Sequence, residues 1–106
     1  MSAAIHFYLR DGEKPSYDNG QSKRTGNVVD GRNHGLWTWY YDDGRKKMQG
    51  RFNHGEREGV WVTFSRAGDT LSKSTYSNDM LNGEYCVYGN NGMILERISF
   101  TNDRPD

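Results

Sequence analysis

Between residues 35 and 100, short apolar runs alternate with glycine-rich and charged stretches, and the alternation keeps one spacing throughout. Gly35 is followed by Trp37 and Tyr40, then by Gly44 and Phe52. Gly59 is followed by Trp61 and Phe64, then by Gly68 and Tyr76. Gly83 is followed by Tyr85 and Tyr88, then by Gly92 and Phe100. The opening glycines Gly35, Gly59 and Gly83 are evenly spaced with a 24-residue period, and each later element keeps its offset from its own glycine. Five positions recurring three times with only aromatic-for-aromatic exchange mark an internal repeat.

Within each unit the strand signals come in pairs. Leu36 to Tyr41 and Val60 to Phe64 are aromatic and β-branched runs of strand length. Each run meets a glycine turn: Asp42-Asp43-Gly44, Arg66-Ala67-Gly68, Asn90-Asn91-Gly92. A polar strand follows and closes on a lone aromatic, and a second turn such as Asn53 to Gly59 leads to the next unit. One repeat is therefore one β-hairpin. Residues 35–58, 59–82 and 83–106 are the regular units of a single domain, 1–106. Subtracting one period from Tyr41-Asp42-Asp43-Gly44 lands on Tyr17-Asp18-Asn19-Gly20, so residues 1–34 read as an atypical capping repeat. The expected fold is all-β: an elongated, twisted antiparallel meander of about four tandem 24-residue hairpins.

Composition sharpens the picture. Mean hydropathy is −1.02, a value typical of disorder, but aromatics make up 13% of the chain, and disordered chains are poor in them. A thin aromatic core is expected. Fourteen basic and fourteen acidic residues cancel, so no overall charge steers the chain to nucleic acid. The sequence from Met1 to His6 lacks a basic segment followed by an apolar one, which predicts no signal peptide and a cytoplasmic protein. No apolar run approaches the ~20 residues of a membrane helix.

Catalytic and metal chemistry finds little support. His34 and His54 each sit in Asn-His-Gly, but their spacing is out of phase with the repeat, and they are expected to be solvated; His6 is the only other histidine. Cys86, between Tyr85 and Val87, is the one cysteine and reads as a small buried hydrophobe. Asp42-Asp43 and Glu56 with Glu58 read as solvated turn acids, and Gly89 to Gly92 as a hairpin turn with no helix to hold a phosphate. The chain is expected to be no enzyme and to carry no cofactor or metal.

The shared positions (Gly35, Trp37, Tyr40, Gly44, Phe52; Gly59, Trp61, Phe64, Gly68, Tyr76; Gly83, Tyr85, Tyr88, Gly92, Phe100) are structural. Departures from the repeat are the candidate site. Trp39 stands where later units have Thr63 and Val87, and Tyr41 where they have Ser65 and Gly89. Aromatics thus fall on both faces of one strand, to be covered by the N-terminal residues Ile5, Phe7, Tyr8 and Leu9 or by a partner. Arg45-Lys46-Lys47 has no basic counterpart in the two later units, which carry Asp69-Thr70-Leu71 and Met93-Ile94-Leu95, and it suits an acidic protein surface or an anionic headgroup.

The pattern Gly-x-Trp-x-x-Tyr, then Gly44 and Phe52, resembles the MORN-repeat variant over residues 35–100, and more weakly from about residue 11. That resemblance implies a free-standing binding module. Bacterial chains built mostly of this variant are grouped as YwqK-like antitoxins, which implies an immunity protein neutralising a toxin as its protein partner. The alternative is a membrane-associating or self-assembling scaffold, with membrane attachment the less favoured form. A monomer or an edge-paired homodimer fits either reading.

Overall fold

A computed structural model describes residues 14–106, so the proposed cover by Ile5, Phe7, Tyr8 and Leu9, and His6 with it, lies outside the described residues. The chain forms eight strands: β1 (Arg24–Val29), β2 (Arg32–Tyr40), β3 (Lys46–Asn53), β4 (Glu56–Phe64), β5 (Thr70–Ser77), β6 (Met80–Tyr88), β7 (Ile94–Thr101) and β8 (Arg104–Pro105). They lie in sequence order in one antiparallel sheet. The tandem-hairpin meander expected from the 24-residue period is the observed fold.

The two sides of the sheet carry two different turns. At one side the chain reverses over two residues with positive φ: Asp30-Gly31, His54-Gly55, Asn78-Asp79 and Asn102-Asp103. These are type I′ geometry, whose twist matches that of the flanking strands. Here the sequence pattern suggests a longer turn, from Asn53 to Gly59. Asn53 pairs with Glu56 instead, so Glu56 and Glu58 are strand residues and the repeat glycines Gly35, Gly59 and Gly83 lie inside strands. All three have positive φ, from 76° to 124°, and bend their strands rather than reverse them.

At the other side the turns are wider and repeat closely. The Tyr41 amide donates to the Arg45 carbonyl at 2.8 Å, Ser65 to Asp69 at 2.8 Å and Gly89 to Met93 at 2.7 Å. Tyr17 donates to Gln21 at 2.8 Å, so the segment before β1 turns in the same way.

A one-layer sheet cannot bury side chains beneath a second layer, and here the rings lie down on the sheet itself. Trp37 pairs with Gly50, and Trp39 with Met48, so both indoles project from the face that carries Phe52. The Trp37 ring covers Gly26 and the Trp61 ring covers Gly50; a Cβ on either glycine would fall inside the indole. Each indole Nε1–H then reaches a carbonyl one strand away, Trp37 to Asn27 at 2.9 Å and Trp61 to Arg51 at 3.2 Å. Phe52 meets Trp61 edge-on at 4.9 Å, and Trp39 fills the gap to Trp61 at 5.6 Å. Trp37, Trp39, Phe52 and Trp61 form the core, with Met48 and Tyr76 packed at its margin.

The interlock fades along the array. In the third unit Ser74 replaces the glycine and Tyr85 replaces the indole, and both Tyr85 and Phe100 remain half-buried. The core is thus concentrated in the first half of the described sheet.

Candidate functional site

The sequence-derived candidates separate into two groups. Trp39 is 9% exposed and packed among Trp37, Phe52 and Trp61, so it presents little surface to a partner. Tyr41, Arg45, Lys46 and Lys47 come together at the wide turn between β2 and β3. The Tyr41 hydroxyl donates to the Phe64 carbonyl at 2.6 Å, as the Tyr17 hydroxyl donates to Tyr40 one period earlier. This bond ties one hairpin to the next.

Around that ring lies a cluster of charges. The Arg66 guanidinium sits 4.7 Å from the Tyr41 ring centroid and the Lys47 ammonium 5.8 Å from it. Arg66 pairs with Asp42 at 2.8 Å, an exposed contact in which the hydrogen bond from the guanidinium, and then its charge, hold the Asp42 carboxyl below the usual 3.8. Arg45 donates to the Arg66 carbonyl at 2.8 Å and lies 3.9 Å from Asp43. Lys46 has no ion pair among the described residues and is exposed. Across the two neighbouring turns, Arg45, Lys46, Lys47 and Arg66 stand against Asp42, Asp43 and Asp69, which leaves the region slightly positive although the whole chain is neutral.

Between the tips of the β2–β3 and β4–β5 hairpins lies a shallow groove of about 410 Å3, lined by Gly44, Arg45, Lys46, Phe64, Ala67 and Gly68. Phe64 and the small residues Gly44, Ala67 and Gly68 share this lining with the basic Arg45 and Lys46. Along the sequence Phe64 is only a repeat position. Its second role is not legible there, because the groove is made by two turns one full period apart lying side by side.

The histidines are brought together, contrary to the expectation of unpartnered turn residues. The His54 amide donates to His34 Nδ1 at 3.1 Å, and the two rings lie 4.6 Å apart. This is a repeat position in disguise: one period on, Glu58 accepts from the Asn78 amide at 3.1 Å. Both acceptors satisfy the amide of a residue with positive φ, so the role is structural. An amide that occupies Nδ1 leaves His34 with its proton on Nε2, a poor arrangement for a metal. Among the described residues no three His, Cys, Asp or Glu side chains could hold a metal ion. Cys86 is buried on the face opposite Trp61.

Asn33 is a further departure that sequence reasoning missed. It is 1% exposed, and neither its side-chain nitrogen nor its oxygen has a hydrogen-bond partner among the described residues. One period on, Arg57 reaches Asp79 at 2.6 Å and covers the Tyr76 ring at 4.2 Å. The first unit has Gly55 in place of that aspartate, so Asn33 has no carboxylate to meet.

No described helix is long and apolar enough to cross a membrane. No curated protein and no solved structure matches the chain. Residues 33–54 and 81–102 match the MORN repeat variant, a generally non-catalytic type of repeat that points to a protein-binding or membrane-associating module, and the two matches begin two periods of this array apart.

Proposed function

We propose that this chain is a non-catalytic protein-binding module whose contact surface is the basic turn region of Arg45, Lys46 and Lys47, with Phe64 in its lining and Tyr41 as its brace. The observation that carries this reading is the groove between two hairpin tips, where Arg45 and Lys46 share the lining with Phe64. A surface of that kind suits an acidic partner that also inserts an apolar or aromatic side chain. A concave groove between two hairpin tips fits a protruding side chain better than a flat bilayer, so it favours a shaped protein surface over a lipid sheet. Trp39 serves this surface from behind, as core.

The partner class follows from the resemblance to antitoxins: a toxin that the module occludes in the cytoplasm. The resemblance alone supports that finer identity. The test immobilises the chain and an Arg45→Glu/Lys46→Glu variant, passes source-cell lysate over both, and compares the captured proteins. One protein held only by the unmodified chain supports the reading. Identical captures, together with salt-sensitive sedimentation on phosphatidylserine vesicles, favour the membrane-associating alternative.

A further inference from the structure

Side chains tie each of the first two wide turns to the turn that follows it. Between the first and second, the Tyr17 hydroxyl donates to the Tyr40 carbonyl at 2.6 Å and the Asn19 side-chain amide to the Asp42 carbonyl at 2.7 Å. Between the second and third, Tyr41 donates to the Phe64 carbonyl at 2.6 Å and Arg45 to the Arg66 carbonyl at 2.8 Å. One period on, the corresponding carbonyls belong to Tyr88 and Asn90, and Ser65, Ala67 and Asp69 hold the places of the donors. Ala67 and the Asp69 carboxylate have no proton to give, and a serine hydroxyl, one bond from its Cβ, does not span the length of a phenol. The Ser65 hydroxyl accepts the Asp69 amide at 3.1 Å.

The backbone around the missing ring matches that around the two rings present. Each hairpin enters its wide turn through a register shift, at Trp39/Tyr40, Thr63/Phe64 and Val87/Tyr88. Tyr88 therefore presents its carbonyl as Tyr40 and Phe64 do. The direction of the side chain is shared as well. Tyr17 lies against Lys23 and Tyr41 against Lys47, each six places on. A Cβ on Gly89 would likewise meet Leu95 at 3.3 Å. Ser65 by the same rule points along Leu71, which is 44% exposed. This junction is also open. A Cβ on Gly44 would meet Gln21 of the preceding turn at 3.0 Å, whereas one on Gly92 would meet no described residue within 4 Å.

The geometry points to a slot between the third and fourth wide turns that binds a tyrosine side chain of a partner protein, its ring on Leu71 and its hydroxyl donating to the Tyr88 carbonyl. The occupant follows from the two filled copies of the slot, in which the chain's own tyrosines make that bond. Phenylalanine fits the same space but leaves the carbonyl unmet. Phosphotyrosine is excluded by charge. Leu71, Asn90 and Asp69 stand where Lys47, Arg66 and Arg45 stand one unit earlier, so a phosphate would lose those cations and gain a neighbouring carboxylate.

The Ser65–Asp69 turn has the basic groove on one side and this slot on the other, so one partner can engage both. The inference rests on the reading of the chain as a protein-binding module and names a residue that the module takes. The slot uses neither Arg45 nor Lys46, so slot and groove can fail separately.

The probes are N-acetyl-tyrosinamide, N-acetyl-phenylalaninamide and the phosphorylated tyrosine derivative, each titrated into the isotope-labelled full chain and followed by NMR amide shifts. The tyrosine probe is expected to shift Ser65, Leu71, Tyr88 and Gly89 saturably. The phenylalanine probe is expected to bind about threefold more weakly or worse, and the phosphorylated probe to leave these residues unmoved. Ser65→Tyr, which fills the slot as Tyr41 fills its own, is expected to raise the thermal midpoint and to abolish the shifts. Leu71→Ala, which shortens the wall of the slot, is expected to weaken the tyrosine probe about threefold or more. Binding of the tyrosine probe without loss of capture in Arg45→Glu/Lys46→Glu supports the slot and overturns the groove. The slot itself is overturned by no saturable shift at these residues, or by either other probe binding as tightly as the tyrosine probe. Shifts that persist in a folded Ser65→Tyr variant, or that Leu71→Ala leaves unchanged, overturn it equally.

Discussion

The indole of Trp61 lies flat on Gly50 of the neighbouring strand, and Trp37 lies in the same way on Gly26, one period earlier. The pairing explains how a single-layer sheet protects a core. A glycine opens a slot in the sheet surface, the largest side chain fills it, and the ring nitrogen bonds a carbonyl beyond. Where the glycine becomes Ser74, the ring shrinks to Tyr85.

Gly50→Ala is therefore expected to displace the Trp61 ring and to destabilise the fold by about 1–3 kcal/mol, the range of overpacked cores. Urea denaturation of the purified chain measures it. Stability unchanged within error would mean the ring moves freely and the interlock is unimportant.

Trp39→Ala removes a core ring and is expected to cost about 3–5 kcal/mol. A thermal midpoint close to that of the unmodified chain would instead place Trp39 outside the core and restore it as a surface anchor.

Asn33→Leu puts into the first unit the residue that Leu81 supplies in the third. Burying an amide without partners is unfavourable, so the exchange is expected to stabilise by about 1–3 kcal/mol. A lower urea midpoint for Asn33→Leu would show that the amide is satisfied in solution.

His34→Glu copies the acceptor that Glu58 provides one unit later, and is expected to preserve stability. His34→Ala leaves the His54 amide without its partner and is expected to cost about 1 kcal/mol. Equal losses for both would contradict the shared capping role.

Asp42 provides a pH signature of the basic turn. Its folded value lies below the ordinary 3.8 because of Arg66, so the Asp42–Arg66 contact contributes fully above that ordinary value. The contribution fades as pH falls through the lowered value. Carboxyl-carbon NMR should give an Asp42 midpoint below 3.8 that rises in Arg66→Ala. The same midpoint in both proteins would dissolve the proposed contact.

Much of the fold was legible in the sequence because the period is carried by large residues at fixed offsets. Trp37, Trp61 and Tyr85 announce themselves, and so do the glycines of the wide turns. What sequence reading misplaced were the strand starts. Gly35 and Gly59 look like turn residues, but the true reversal is the dipeptide His54-Gly55 and its equivalents, and pairing resumes at Glu56. Gly26 and Gly50 carried no signal of their own, since a glycine beneath a ring is indistinguishable along the chain from any other. His34 and His54 escaped for a different reason: their contact crosses between hairpins at an offset shorter than the period, which the 24-residue repeat conceals. The basic run Arg45–Lys47 was visible, whereas the groove beside it needed Phe64 and Ala67 from the next turn.

The most direct test of the central claim separates scaffold from surface in one variant. The protein captured from lysate is purified, and its affinity is measured by calorimetry for the unmodified chain and for Arg45→Glu/Lys46→Glu/Lys47→Glu. Binding is expected to weaken at least tenfold, about 1.4 kcal/mol or more, with the thermal midpoint of the module unchanged within about 2 °C. Undiminished affinity in a folded variant would contradict the proposed surface and move binding away from the basic turn.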